Sequence, residues 1–206
     1  MGAINKNAFE SVKGAQLVQR AVSGYSSSVT YPDLNPLAVG LKMAAQIMVT
    51  VPEARLIYVQ MGGFDHHSDQ VSRRDGQLDK LKGQHADLLS WFSEAVNLFH
   101  IDMTEHGLAD KLLMMQWSEF GRRPGENASF GTDHGSVGSM FLIGNPVNGG
   151  IYGNHPSLAA TQLDGAGNPR FNVDFREVYA TVLDRWLGTD SKAVLGGTYP
   201  DLGFLP

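Results

Sequence analysis

Two short clusters of acidic and imidazole side chains carry the chemistry that this sequence offers. Asp65, His66 and His67 are consecutive, and Asp133 and His134 form a second pair. Imidazole nitrogens and carboxylate oxygens are common ligands of divalent metal ions. One such cluster also occurs on exposed loops that hold no ion. Two of them in a chain with seven histidines predict a single metal-centred site.

Glycines flank both clusters. Gly62 and Gly63 precede the first, and Gly131 and Gly135 bracket the second, so each cluster is predicted to lie on a tight turn where the backbone comes close to a bound ion. If the first segment is extended, consecutive side chains point to opposite sides. Only one of its two histidines is then expected to pair with the aspartate.

Four further groups have candidate roles. Arg122 is suited to hold an anionic oxygen through two hydrogen bonds, and Glu119 to orient it, bind metal or transfer a proton; a surface ion pair is the alternative. His155 lies in a glycine-rich stretch and is a candidate further ligand. His106 precedes a glycine and suits a helix C-terminus.

The spacing of apolar residues predicts the strands and the helix that position these side chains. Residues 55–61 and 111–117 are apolar runs that predict buried strands, each followed by polar residues of the candidate site. Apolar residues three and four apart from Leu78 predict a long helix that stops at Gly107. Strand, helix and strand in this order form a right-handed parallel crossover. Both clusters are therefore expected at one sheet edge, where ligands bind in open α/β sheets.

The remaining elements complete the predicted fold. Residues 8–23 have helical spacing, Asn35 and Pro36 predict the start of a helix that ends at Pro52, and Asp174 predicts the start of a last helix. A third strand is expected at 139–143. The fold class is α/β, a mainly parallel sheet flanked by helices, in a single domain over residues 1–206. Three aromatic residues are expected in its core: Trp117, Phe141 and Trp186.

Composition excludes several classes of function. The net charge is -5 and the 16 basic residues are scattered, which argues against a nucleic-acid surface. No cysteine is present, so disulfides and thiolate metal sites are excluded. No apolar run approaches the roughly 18 residues of a membrane span, and the first residues carry no signal-peptide pattern. The cellular compartment stays open.

Four motifs together resemble a bacterial family of unknown function, DUF1501, which is grouped with the alkaline phosphatase and sulfatase superfamily. They are GGFDHHSDQ at 62–70, SEFGR at 118–122, GTDHG at 131–135 and DFREVY at 174–179. The resemblance implies a two-metal hydrolase in which Asp65 and His67 bind one ion, and Asp133 and His134 bind the other. His66 stands where that family usually has threonine, which makes it the less expected ligand.

The resemblance also has a gap. Proteins of that superfamily have an aspartate and a serine or threonine nucleophile on early strands, before the Asp-x-His motif, and this chain offers no counterpart. We therefore expect an alkaline phosphatase-like core that lacks its N-terminal strands. The chain is then either the C-terminal part of a longer protein or a natural short form.

The function expected from these residues is metal-dependent hydrolysis of a small-molecule ester. The resemblance favours phosphate or sulfate esters and leaves carboxylic esters and lactones open. In this scheme metal-activated water attacks and Arg122 holds the developing charge; zinc is the favoured ion, with calcium or manganese open. The alternative is a metal-stabilised binding or structural module without turnover. A homodimer is expected if the lost strands leave a sheet edge uncovered.

Overall fold

The computed structural model describes residues 2–74, 77–79 and 81–206. Its contacts divide the chain into two compact units. The first comprises Met1–Asp65 with Lys80–Ala109, and the second comprises His66–Asp79 with Asp110–Pro206. The first unit contains the three longest helices, and the second contains the described β-strands.

The first unit is built from helices α1 (Gly2–Gly24), α2 (Pro36–Thr50) and α3 (Gln84–Glu105). The predicted start of α2 is confirmed: the side chain of Asn35 accepts hydrogen bonds from the backbone N–H groups of Leu37 (3.1 Å) and Ala38 (3.2 Å), which the helix itself leaves without partners. Its core is formed by small and large apolar side chains of these helices and of the loop after α1: Ala21, Tyr31, Leu37, Ala38, Leu41, Ala44, Ala45, Ala95, Phe99 and Met103.

The strand predicted at residues 55–61 is wrong. The segment belongs to no strand, and its large apolar side chains face solvent, with Leu56 79% and Tyr58 71% exposed. β-branched and aromatic residues favour extended backbone, but a strand also needs a partner ladder, which local sequence does not specify. Without this strand the predicted parallel crossover does not form.

Among its described residues the second unit contains six short strands: β1 (Ser72–Arg74), β2 (Gln77–Asp79), β3 (Met114–Gln116), β4 (Gly121–Glu126), β5 (Thr132–Gly135) and β6 (Phe141–Ile143). They pair as β1–β2, β3–β6 and β4–β5, always antiparallel. The predicted mainly parallel sheet flanked by helices is therefore wrong for the part of the chain that the structure describes. The predicted long helix also begins later than expected, because Leu78 lies in β2 and α3 begins only after Gly83.

The core of the second unit lies against its last helices, α4 (Phe175–Thr181) and α5 (Ser191–Leu195), which are separated by a π-helical turn, Val182–Trp186. The predicted cap is confirmed, since Asp174 accepts a hydrogen bond from the backbone N–H of Arg176 at 2.9 Å. Val178, Phe204 and Leu205 are buried, and Trp186 packs against them as predicted. Trp117 and Phe141 do not belong to the core, because they are 43% and 52% exposed on short ribbons that cover only one face.

Residues 149–171 are mainly loop, as their glycine, proline and asparagine content predicts, apart from a 3-10 turn at Ala160–Gln162. No helix in the described ranges combines the length and the apolar character that crossing a membrane would take.

Candidate metal centre

The second cluster lies on a strand, not on the turn predicted from its flanking glycines. Asp133 and His134 are part of β5, and His134 pairs directly with Arg122 of β4. The glycines act through close backbone approach: a Cβ on Gly135 would come within 2.6 Å of the Arg122 carbonyl carbon. Directly paired residues of an antiparallel ribbon project to the same face, so Arg122 and His134 share one side of β4–β5.

The first cluster reaches this ribbon through backbone hydrogen bonds of the segment that follows it. Ser68 bridges to Phe130, and the N–H groups of Asp69 and Gln70 donate to the carbonyls of Ser129 and Phe130 at 3.1 Å. These contacts align residues 67–70 with the turn that joins β4 to β5. His67 and His134, which lie over 60 residues apart in the sequence, thereby meet within the second unit.

His67 and His134 form the centre of this meeting point. Their Nε2 atoms lie 3.0 Å apart and their ring centroids 4.7 Å apart. Two facing imidazole nitrogens attract each other if one carries a proton, or if both direct lone pairs at a shared cation. Two nitrogens bound tetrahedrally to zinc at about 2.0–2.1 Å lie about 3.3 Å apart. The observed 3.0 Å is shorter than this and is also an ordinary hydrogen-bond distance, so the two rings need to separate only slightly to share an ion.

Carboxylates complete the donor set. Oδ1 of Asp133 lies 3.9 Å from Nδ1 of His67, and both side chains are about half exposed. Asp65 precedes His67 by two residues, and one of its carboxylate oxygens lies within 4.8 Å of a ring nitrogen of each histidine. Two imidazoles and an aspartate are a known donor set for zinc. The side chains at this point therefore fit a divalent ion.

Asn127 holds the two segments together and was missed in the sequence. Its side-chain Nδ2 donates to the backbone carbonyl of His67 (2.9 Å) and to Oδ1 of Asp133 (3.0 Å). Its Oδ1 accepts from the N–H groups of Ser129 and Gly131, both at 3.0 Å. The signal was available, because an asparagine before Ala128-Ser129 and a glycine is typical of a turn stabilised by its own side chain.

The ring of Phe120 contacts both Arg122 and His134, which share one face of the β4–β5 ribbon. Its ring stacks on that of His134, with centroids 3.9 Å apart and planes inclined by 8°. The guanidinium carbon of Arg122 lies 4.9 Å from the same ring centroid, within the range of a cation–π contact. One N–H of Arg122 donates to the Thr132 carbonyl at 2.6 Å. This arginine is thus fixed beside the imidazole pair.

The other candidates take different places. His66 is buried, with 8% of its surface exposed, whereas His67 is exposed. Glu119 is exposed in the loop before β4. His155 lies in a loop with its Nδ1 2.8 Å from the Pro156 carbonyl, outside the group of Asp65 and the histidine pair.

Replacing Gly131 with alanine is expected to destabilise the second unit by about 1–3 kcal/mol, as overpacking does. Gly131 is buried, and a Cβ there would overlap the carbonyl group of His67, which is backbone and cannot rotate away. Urea denaturation and zinc calorimetry should show loss of both stability and affinity. Gly125→Ala is the matched control, because its Cβ would meet nothing within 4 Å, and a change beyond about 0.5 kcal/mol is not expected. Equal behaviour of the two variants would contradict this account of Gly131.

Comparison with known proteins places most of the chain in one family. The family described as "Protein of unknown function (DUF1501)" matches residues 18–198, which include all the side chains of the candidate metal centre. No curated protein matches the chain significantly, and no solved structure does.

Proposed function

The chain belongs to the DUF1501 family of proteins of unknown function, and we propose that it is a metal-dependent hydrolase of an ester. The observation that carries the proposal is the pair of imidazoles, from separate segments, whose Nε2 atoms lie 3.0 Å apart beside the carboxylates of Asp65 and Asp133. Neither histidine is held in a hydrophobic core, so core packing does not explain their approach.

Zinc is the ion that this donor set favours. Imidazole nitrogens with carboxylate oxygen suit zinc, whereas calcium prefers a shell made of oxygen alone. His67 and His134 would hold one shared ion, with Asp65 as a third ligand. Asp133 is then placed to orient the His67 ring through its Nδ1 side, a role that carboxylates often have at zinc-bound histidines. This grouping replaces the two separate ligand pairs that the family resemblance implies.

A bound zinc ion would polarise the ester oxygen and lower the pKa of a bound water to about 7. The residues of the chain then position the substrate and stabilise charge. Arg122 lies on the same ribbon face as His134 and is held against Phe120, so its guanidinium is placed to bind an anionic oxygen near the imidazole pair. Asn127 keeps His67 and Asp133 at fixed positions through its two donated hydrogen bonds.

Phosphate or sulfate monoesters are the proposed substrate class. The motifs resemble those of the alkaline phosphatase and sulfatase superfamily, and a guanidinium binds tetrahedral oxyanions through paired hydrogen bonds. Carboxylic esters and lactones are the second choice. In each case we propose water bound at the metal centre as the attacking group, since a bound divalent ion would supply hydroxide near neutral pH.

A binding or structural module without turnover is the second candidate function. It is favoured by the exposure of the ligands, since the side chains of His67 and Asp133 are 49% and 51% exposed, and by their position on two separate segments. An ion shared by these segments would link them much as a structural zinc site does.

A panel of chromogenic phosphate, sulfate and acyl esters, assayed after adding zinc, manganese or calcium to chelator-treated protein, separates the two candidates. Hydrolysis that depends on added metal and is lost in Arg122→Gln, with metal affinity retained, supports the hydrolase. A rise in the melting temperature on adding metal, without hydrolysis of any ester in the panel, overturns it in favour of the structural module.

A further inference from the structure

A second concave site lies on the loops of the second unit, and none of the metal-centre side chains lines it. This pocket, here called the Arg170 pocket, has a volume of about 440 Å³, which falls within the size range of small-molecule sites. It is lined by residues of two loop segments: His155, Pro156, Ser157, Thr161, Gln162, Arg170, Phe171 and Asn172. We propose that the Arg170 pocket binds a small organic anion, a carboxylate, phosphate or sulfate attached to a flat ring.

The two walls of the pocket are tied together by side-chain to backbone hydrogen bonds. Asn172 Oδ1 accepts from the backbone N–H of Asn154 at 2.8 Å, and Asn172 Nδ2 donates to the Asn154 carbonyl at 2.6 Å. Between the walls, Asp164 Oδ1 accepts from the backbone N–H groups of Ala166 (2.9 Å) and Asn168 (2.8 Å). A loop held in this way loses little conformational entropy when a ligand binds.

The charge of the pocket is positive. Arg170 is its one residue with a permanent charge, and no carboxylate lines it. Within the described ranges Arg170 donates no hydrogen bond and forms no ion pair, so its guanidinium donors face solvent. The pKa of Asp164 is lowered chiefly by hydrogen bonds from Asn168 and to a smaller extent by the charge of Arg170. Because Asp164 already accepts bonds from its own turn, it leaves the guanidinium available.

The other lining groups define the rest of the ligand. The side chains of Ser157, Thr161 and Gln162 offer hydroxyl and amide groups at the pocket wall. The ring of Phe171 is 66% exposed, so its face is open to stack on a flat ring of a ligand. Nδ1 of His155 donates to the Pro156 carbonyl at 2.8 Å, which fixes the ring at the pocket wall. An anion attached to an aromatic ring satisfies both the guanidinium and the exposed Phe171 ring.

The loop that carries the pocket is attached to the strand of the second histidine. Asn168 Oδ1 accepts a hydrogen bond from the backbone N–H of Ser136 at 3.2 Å, two residues after His134. The proposal does not depend on hydrolysis or on a bound metal, because its contacts come from the loop side chains alone. Binding at this pocket and catalysis at the metal centre are therefore separately testable.

The test is a nuclear magnetic resonance titration of the nitrogen-labelled full chain with phenyl phosphate, benzoate and neutral benzamide. Phenyl phosphate or benzoate should shift the amide signals of residues 154–172, and benzamide should not. Arg170→Gln should weaken binding on the order of tenfold or more, as expected when a charged hydrogen bond is lost. Lys192→Gln, which removes an exposed positive charge from α5, should leave it unchanged.

Each result decides the proposal. Comparison of phenyl phosphate with benzoate identifies which oxyanion the pocket prefers. Shifts confined to the surroundings of His67 and His134 would show that the anion binds only at the metal centre, and would overturn the proposal. Equal binding of benzamide, or an Arg170→Gln variant that binds phenyl phosphate as the unmodified chain does, would also overturn it.

Discussion

Replacing Asp102 with asparagine is expected to destabilise the helical unit by about 3–5 kcal/mol, because it weakens several hydrogen bonds to one buried carboxylate at once. Asp102 lies on α3 with none of its surface exposed. Its carboxylate accepts hydrogen bonds from the hydroxyl groups of Tyr25 (2.5 Å), Ser27 (2.6 Å) and Tyr31 (2.7 Å). These three donors all come from the loop after α1, so one carboxylate fixes that loop to the third helix.

The imidazole of His106, one turn further along the chain, also lies beside the Asp102 carboxylate. Nδ1 of His106 lies 2.8 Å from the Asp102 carbonyl oxygen and 3.2 Å from its carboxylate, and Nε2 lies 3.0 Å from the Ser26 carbonyl. Carbonyl oxygens only accept, so the imidazole is the donor in its contacts with them. Burial together with the hydrogen bond to Asp102 raises the pKa of Tyr25 to about 12, and the same causes raise the pKa of Tyr31. Both phenols therefore stay protonated and donate.

Urea denaturation followed by far-ultraviolet circular dichroism checks the prediction, because the three longest helices belong to this unit. Tyr31→Phe removes one donor and should cost about 1.5–3 kcal/mol, as loss of a hydrogen bond to a charged group does. Asp87→Asn is the control on the same helix, since Asp87 is exposed and contributes through the helix dipole alone, which is worth under about 1 kcal/mol. A loss for Asp102→Asn no larger than that for Asp87→Asn would contradict the role given to this cluster.

Local signals in the sequence predicted the helix ends correctly. The caps at Asn35 and Asp174 are specified by residues within three positions of each helix start, so a short stretch of chain contains all the information needed. The long helix was predicted from its apolar spacing, but its start was placed in β2 because an apolar residue at Leu78 fits both periodicities.

Pairings between distant segments were not predictable. The run at 55–61 has the composition of a central strand yet pairs with none of the described strands. Of the run at 111–117 only β3 (Met114–Gln116) is a strand, and it pairs antiparallel with β6. The meeting of His67 with His134 was expected from a parallel sheet edge, but the structure achieves it through an antiparallel ribbon and the Asn127 turn. The sequence thus predicted that His67 and His134 lie close together, but it predicted this from a parallel sheet that the described part of the chain does not contain. The Asp102 cluster was missed because nothing in its spacing marks one aspartate of a long helix as buried.

Replacing His67 or His134 with alanine is expected to lower zinc affinity at least about 100-fold, since even changes to groups that only orient ligands cost about 10–100-fold. The two Nε2 atoms lie 3.0 Å apart, so one ion would be bound by both. The double variant should then lose much less than the product of the two single losses, because ligands of one ion act as a unit.

Zinc calorimetry on chelator-treated protein measures this prediction, and circular dichroism reports whether loss of the His134 stack on Phe120 changes the fold. His155→Ala is the control among the loop histidines, and it also tests whether that residue supplies a further ligand. Unchanged zinc affinity in both single variants would remove the metal centre altogether. Losses that multiply in the double variant would assign the two histidines to separate ions, as the family resemblance implies, because independent sites contribute independent free energies.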